Sequence, residues 1–327
     1  MKFMSFRKPL AVFSLLVWLL PIAHAQTPAP AWPTKPVKII VTFPPGGAPD
    51  TLARVLADKW TQALGQTFTV DNKPGAGGNI GSDFVAKSAG DGSTLLIATV
   101  GTHAINPALY SAMPYNHIKD FTPVSFLAST PNLLVVNNAV PAKNVKELIA
   151  LAEKTPLTFG SSGSGTSIHL SGELFNTLAG VKMQHIPYKG RAQAVPDLLG
   201  GRITMIFDNM PSALPLVKSG DVRAIAVTSA KRSAAAPDIP TIAESGLQGF
   251  EASSWFALMA PAGLPKEVLA RISAETARVM NLPDVREKLT QLGLDVAPGS
   301  PESLASHIQT ETVKWAKVVK ESGAKLD

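Results

Sequence analysis

The 327-residue chain contains no cysteine. That removes disulfides, thiol catalysis and thiolate metal sites together. It leaves the compartment open, because an exported protein can simply lack disulfides. The six histidines fall at positions 24, 103, 117, 169, 185 and 307. None forms His-x-x-x-His or His-Glu-x-x-His, so no metal ligand is assigned. The P-loop string G-x-x-x-x-G-K-[ST] is absent. A nucleophile elbow needs G-x-S-x-G, and Gly160-Ser161-Ser162-Gly163-Ser164 fails it at the fifth place. A dinucleotide fingerprint needs G-x-G-x-x-G. The strings starting at Gly75 and Gly163 end in Ile80 and Ile168 instead. No cofactor is therefore expected, and enzyme readings lose their usual signals. Aromatic residues make up 6% of the chain, and the lysines and arginines form no stripe. Nucleic acid is not an expected partner.

What is present begins at the N-terminus. Lys2, Arg7 and Lys8 precede the apolar run Leu10–Leu20, Pro21 breaks it, and Ala23-His24-Ala25 follows. A basic start, a short apolar core and a small-x-small site make a secretory signal, residues 1–25. The run is too short to span a bilayer as an anchor. No cysteine follows it, which excludes a lipid-modified terminus. Cleavage after Ala25 predicts a soluble periplasmic protein whose net charge drops from +6 to +3, too mild to imply a polyanionic partner. Residues 26–36, rich in Pro, Ala and Thr, read as a flexible leader.

Strand and helix patterns then alternate. Val37–Phe43 reads as a buried strand and Leu52, Val55, Leu56 and Trp60 as a helix face. Phe68–Val70, Asn79–Lys87 and Ser93–Thr99 continue as strand, helix and strand. A second series follows Phe121: strands at Asn132–Asn137, Leu157–Gly160, Met183–Ile186, Ile203–Phe207 and Val222–Thr228, with helices at Val145–Glu153, Ile168–Leu178 and Gln193–Leu199. Phe250–Met259 is extended again, and Lys266–Lys325 reads as helices with Trp315 on an apolar face. Alternation of this kind predicts an α/β fold with a mostly parallel sheet. The economical arrangement has a first lobe from 37–130, a second from 131–250, and a return to the first at 251–327. The chain would cross near Phe126–Pro131 and Phe250–Trp255.

Two loops are candidates for chemistry. Phe43-Pro44-Pro45-Gly46-Gly47-Ala48-Pro49-Asp50 joins a strand to a helix, with Asp50 expected at the N-cap. Backbone N–H groups and a helix N-terminus suit an anion there; an ordinary strand–helix turn is the plain alternative. Ser161–Ser167 holds the same position in the second series and adds hydroxyls. His103 and His169 could contact a ligand or stabilise loops. Lys189 and Arg191 could meet a carboxylate or sit in solvent. Asp208, ending a strand, could accept a ligand hydrogen bond or cap the next segment.

Several strings match a known family in order along the chain. They include Phe43–Gly47, Asn72-Lys73-Pro74-Gly75-Ala76-Gly77-Gly78-Asn79-Ile80-Gly81, Gly165-Thr166-Ser167-Ile168-His169-Leu170, Pro187-Tyr188-Lys189-Gly190, Asp197–Arg202, Phe207-Asp208, Pro240–Glu244 and Ala260–Pro265. Through them the chain resembles the Bug family, the periplasmic solute receptors of tripartite tricarboxylate transporters. The resemblance implies a type II periplasmic-binding-protein fold: two lobes, a hinge and a ligand cleft between them. It implies ligand contacts from Phe43, Gly46, Gly47, Ala48 and Asp50 on one wall and Ser164, Gly165, Thr166 and Ser167 on the other. Tyr188, Lys189, Gly190 and Asp208 would complete the pocket. One departure stands out. Arg191-Ala192-Gln193-Ala194 occurs where the family often has a small residue followed by Pro-Ala.

The expected function is capture of a small mono-, di- or tricarboxylate by a monomeric protein that delivers it to membrane permease subunits. Presentation of the ligand to a sensor kinase is the rival binding role. A secreted hydrolase using Ser164 or Ser167 is the rival enzyme, and the missing elbow speaks against it.

Overall fold

The computed structural model describes residues 1–4 and 32–324. Leu10–Leu20, the Ala23-His24-Ala25 motif and the leader up to residue 31 lie outside the described residues. Where description resumes, Trp32 is already buried. Its ring packs edge-on to Trp60 at 5.9 Å and Phe68 at 5.7 Å, and its Nε1 donates to Gly92 O at 2.9 Å. The leader is thus packed from Trp32, five residues before the first strand, because an indole with a satisfied N–H is worth more buried than exposed.

The first part of the chain forms β1 (Val37–Val41), α1 (Ala48–Leu64), β2 (Phe68–Asn72), α2 (Asn79–Ala86), β3 (Thr94–Thr99) and α3 (Asn106–Leu109), with a wide helical turn at Gly101–Ile105 between the last two. β4 (Phe121–Asn137) leads to α4 (Val145–Ala152), β5 (Thr158–Ser161), α5 (Ser167–Ala179), β6 (Gln184–Pro187), α6 (Arg191–Leu199), β7 (Met205–Asn209), α7 (Met210–Lys218) and β8 (Val222–Val227). The chain ends with β9 (Ser253–Pro261), α8 (Lys266–Met280), α9 (Pro283–Gln291), β10 (Asp295–Val296) and α10 (Pro301–Ser322).

The strands run β2-β1-β3-β9-β4-β7-β5-β6, with β8 and β10 also on β4. β1 pairs in parallel with β2 and β3, and β5 with β6 and β7. β4 and β9, however, are antiparallel to every partner. The expected mostly parallel sheet is therefore mixed. Its two parallel halves are joined by the strands that carry the chain across.

β4 makes the first crossing. Its Phe121–Pro131 stretch pairs with β9, and its Asn132–Asn137 stretch pairs with β7 and β8. Pro131 stands at the switch, where a residue without an N–H does least harm to either ladder. The return crossing lies beside it. Asn132 N donates to Thr228 Oγ1 at 2.7 Å, and Ala252 N donates to Thr228 O at 3.0 Å. The sheet thus divides into two lobes.

Each lobe buries its own layer. On the first, Leu52, Leu56 and Trp60 of α1 join Ile272 and Val279 of α8 against Ile39, Val41 and Ile97. On the second, Ala194 and Leu198 of α6 join Ala213 and Leu214 of α7 against Leu133, Val135 and Ile206. Each large apolar side chain buried this way contributes about 1.5–3 kcal/mol. α10 lies against β4, α5 and the Gly101–Ile105 turn, so both lobes share it. Its fully buried Trp315 and Trp255 of β9 both donate their indole N–H to Glu311, at 2.9 and 3.0 Å.

Candidate functional site

Two strand–loop–helix junctions, one from each lobe, face a common cleft. The first leaves β1 at Phe43 and enters α1 at Gly47. Gly47 is the N-cap in extended conformation (φ −90°, ψ 173°) and supplies no side-chain acceptor, so the first N–H groups of α1 stay uncapped. Asp50, expected at the N-cap, stands inside the first turn. Its carboxylate turns away from the cleft, accepting from Gly46 N at 3.0 Å, from Arg54 at 2.8 and 3.0 Å, and from Asn72 Nδ2 at 3.0 Å. Burial raises the Asp50 carboxyl, but these hydrogen bonds and the Arg54 charge outweigh it and hold the group below the usual carboxylate range. Asn72 also donates to Phe43 O at 2.9 Å, tying both ends of the loop to one support.

The second junction leaves β5 at Ser161 and enters α5 after Thr166. Here the N-cap is a side chain. Thr166 Oγ1 accepts from His169 N at 3.3 Å and donates to Gly163 O at 2.8 Å. Gly163 N donates to Ser161 Oγ at 3.1 Å, which meets His185 Nε2 at 2.6 Å. The His185 ring stacks on His169, centroids 3.9 Å apart, and His169 Nδ1 accepts from Gly165 N at 3.2 Å. Burial, then the His169 ring, pushes His185 down to about 3, so it is neutral across the physiological range. Neither Ser164 nor Ser167 meets an imidazole among the described residues. The one serine–histidine contact there, at Ser161, is buried and serves to hold the loop.

The two walls approach so closely that glycine is required. A Cβ at Gly77 would lie 2.5 Å from Ser164 O, and one at Gly190 would lie 2.5 Å from Pro44 Cγ. Between the walls a cleft encloses about 600 Å³ of empty space, open solvent at its mouth included. Of the residues named from the sequence, Phe43, Gly47, Thr166, Ser167 and Asp208 line it. A neighbouring compartment of about 680 Å³ shares Phe43 and Ser162 with the first. Ser164, Tyr188 and Lys189 line that one, facing the Gly75–Gly78 turn. Gly46, Ala48, Asp50, Gly165 and Gly190 line neither compartment; Gly46 is exposed, and the other four are buried behind the surface.

Tyr188 presents its ring, not its hydroxyl. The hydroxyl donates to Asp197 Oδ2 at 2.7 Å. Burial and that carboxylate push Tyr188 up to about 12. His103 is fully buried among Tyr115 and Phe121 and lines neither compartment; burial and the neighbouring His117 push it down to about 3.

Other lining residues were not expected. Thr99 ends β3 and Gly101 follows it, Ser254 and Phe256 project from β9, and Asn209 and Ser212 belong to the β7–α7 junction. Alternation along β9 was a usable signal for the Ser254 and Phe256 pair. Asn209-Met210-Pro211 was another, since asparagine followed by an early proline opens helices; α7 has Asn209 as its N-cap.

Asp208 and Arg191 meet at this wall. Arg191 Nε donates to Asp208 Oδ2 at 2.6 Å and its Nη2 to Ser212 O at 2.6 Å. Burial pushes the Asp208 carboxyl above its ordinary range, and the Arg191 charge only partly offsets it. The expected role of Asp208 as an acceptor is thus shared with an internal cation. Among the described residues, Arg191 is the one lysine or arginine lining this compartment.

A cleft between two α/β lobes, with one helix N-terminus from each wall, defines a type II periplasmic binding protein, a receptor class with no catalytic step. Residues 52–324 match the model of the tripartite tricarboxylate transporter family receptor, and the chain belongs to that family. Receptors of this family are periplasmic. Protein BugT of Bordetella pertussis is 38% identical over 326 residues, 99% of this chain and 100% of that one. Among solved structures, R. palustris Rpa4515 with adipate superposes with a TM-score of 0.87 at 40% identity, covering 89% of this chain and 98% of that one. MatC (Rpa3494) from Rhodopseudomonas palustris with bound malate gives 0.84 at 34% identity, covering 88% and 100%. Among the described residues no helix is long and apolar enough to cross a membrane.

Proposed function

We propose that this protein captures a small carboxylate in the cleft and delivers it to the membrane permease of a tripartite tricarboxylate transporter, after removal of residues 1–25. The observation that carries the reading is the pairing of walls. The uncapped N-terminus of α1 and the hydroxyl-bearing N-terminus of α5 line one cleft, and both suit an anion. Neighbours of this fold hold adipate and malate. Phe43, Gly47, Thr166, Ser167 and Asp208 are assigned to the ligand surface, with Ser164, Tyr188 and Lys189 at its second compartment. Ala48, Asp50, Gly165 and Gly190 shape it from behind, and Gly46 holds the first loop through Asp50. The first lobe is assigned residues 37–130 and 251–327, and the second 131–250.

A ligand touching both walls favours the state in which they meet. A thermal-shift screen of the processed protein against aliphatic and aromatic carboxylates tests the reading. At least one acid is expected to raise the melting temperature in a concentration-dependent way. A panel without any such acid contradicts it.

A further inference from the structure

The larger question about the cleft is what it requires at the far end of a carboxylate ligand. Arg191 is the first residue of α6, next to the Gly190–Pro44 approach, so it stands where the second lobe faces the Phe43–Gly47 loop of the first. It is clamped at two points: Asp208 Oδ2 and Ser212 O, both at 2.6 Å. Those bonds use two of the five guanidinium N–H donors. The rest have no partner among the described residues, and the side chain is 27% exposed along the cleft. Asp208, by contrast, is 3% exposed and already committed to Arg191.

Resting on the carboxylate reading above, we propose that Arg191 determines specificity by receiving the distal carboxylate of a dicarboxylate whose proximal carboxylate lies between the helix N-termini of α1 and α5. Three features support it. The guanidinium is held before ligand arrives, so little side-chain freedom is lost on binding. Phe43, Pro44, Pro45, Val100 and Phe256 give the cleft an apolar stretch that suits methylenes between two carboxylates. Arg191 also occupies the carboxylate that would otherwise attract an ammonium, so an ω-amino acid meets a cation where it needs an anion. The pair therefore selects by attraction and by repulsion.

Calorimetry on the processed protein separates this role from a purely internal ion pair. The probes are succinate, glutarate and adipate, their monoacids butyrate, pentanoate and hexanoate, and the ω-amino acids of the same lengths. At the best length the diacid is expected to bind roughly 10- to 100-fold more tightly than the monoacid, the scale of a charge-assisted hydrogen bond. Arg191→Gln with Asp208→Asn removes both charges without leaving a buried carboxylate alone. It should abolish that preference, so that diacid and monoacid bind within about threefold of each other, the margin allowed for an uncharged contact. Arg191→Ala alone frees Asp208 and should favour the ω-amino acid over the diacid; if this variant does not fold, the double variant decides. Equal binding of diacid and monoacid by the wild type, or a preference that survives in the double variant, overturns the role of Arg191 and leaves the carboxylate reading standing. Binding of none of the nine probes overturns both.

Discussion

The two walls of the cleft solve one problem by different means. Both bring a strand into a helix N-terminus across a glycine-containing loop. The first loop is braced by charge: Asp50 gathers Gly46, Arg54 and Asn72, and the helix is left without a side-chain cap. The second is braced without such a charge cluster: Thr166 caps the helix, while Ser161, the neutral His185 and the His169 ring stacked on it hold the loop. The first wall presents an uncapped helix start at Gly47 and Pro49, and the second adds hydroxyls. The lesson is that an anion-facing turn can keep its own support outside the site. Asp50 carries a negative charge close to the expected ligand, yet it spends that charge on Arg54 and lines neither compartment.

Acid should break the comparison most strongly. His103 and His185 are held near 3 in the fold, against an ordinary value of 6.5. The unfolded chain binds more protons between those values, so stability is constant above about pH 6.5 and falls as pH drops towards 3. Each histidine contributes on the order of 2 kcal/mol of loss between pH 6.5 and 5. Asp208, raised in the fold, works the opposite way, gaining stability as pH falls through its own range. Urea denaturation at pH 7 and pH 5 should show the loss, and His185→Gln should reduce it, the remainder coming from His103, His117 and His307, which burial also lowers. An unchanged midpoint between the two pH values contradicts the neutral-histidine brace of the second wall.

Removing one brace from each wall sharpens the same contrast. Asp50→Ala leaves Gly46 N and Asn72 without their acceptor and should cost about 2–3 kcal/mol at pH 7. Thr166→Ala removes a single N-cap and should cost about 1 kcal/mol. Denaturant midpoints measure both. If Thr166→Ala costs more than Asp50→Ala, the assignment of charged and neutral support is reversed.

Much of this was legible before the structure. Alternating patterns mark both α/β series, and glycine between strand and helix marks both walls. Strand direction was not legible, since periodicity is the same for parallel and antiparallel pairing, and so β4 and β9 changed the sheet. The 17-residue length of β4 was not legible, and only its Asn132–Asn137 end was read as a strand. The structure places Pro131 where the partner strands change and Pro123 beside a register shift. α7 was not read either; it holds Pro211 in its first turn and Pro215 inside it. The loops were found as strings, but which residues reach the surface depended on packing: Gly47 lines the cleft and Gly46 does not. Of the two glycines, Gly46 has the positive φ, at +90°, and Gly47 is extended. Arg191 and Asp208 were each noticed, but nothing in a sequence joins residues 17 apart on different elements.

The central claim is that the cleft recognises a carboxylate across both walls. Calorimetry of the best-binding acid and its neutral amide, with small-angle scattering at saturation, tests it most directly. The acid is expected to bind more tightly by on the order of 1–3 kcal/mol, the worth of a charge-assisted hydrogen bond, and to compact the protein. Equal affinities for acid and amide, with scattering unchanged on saturation, would contradict it.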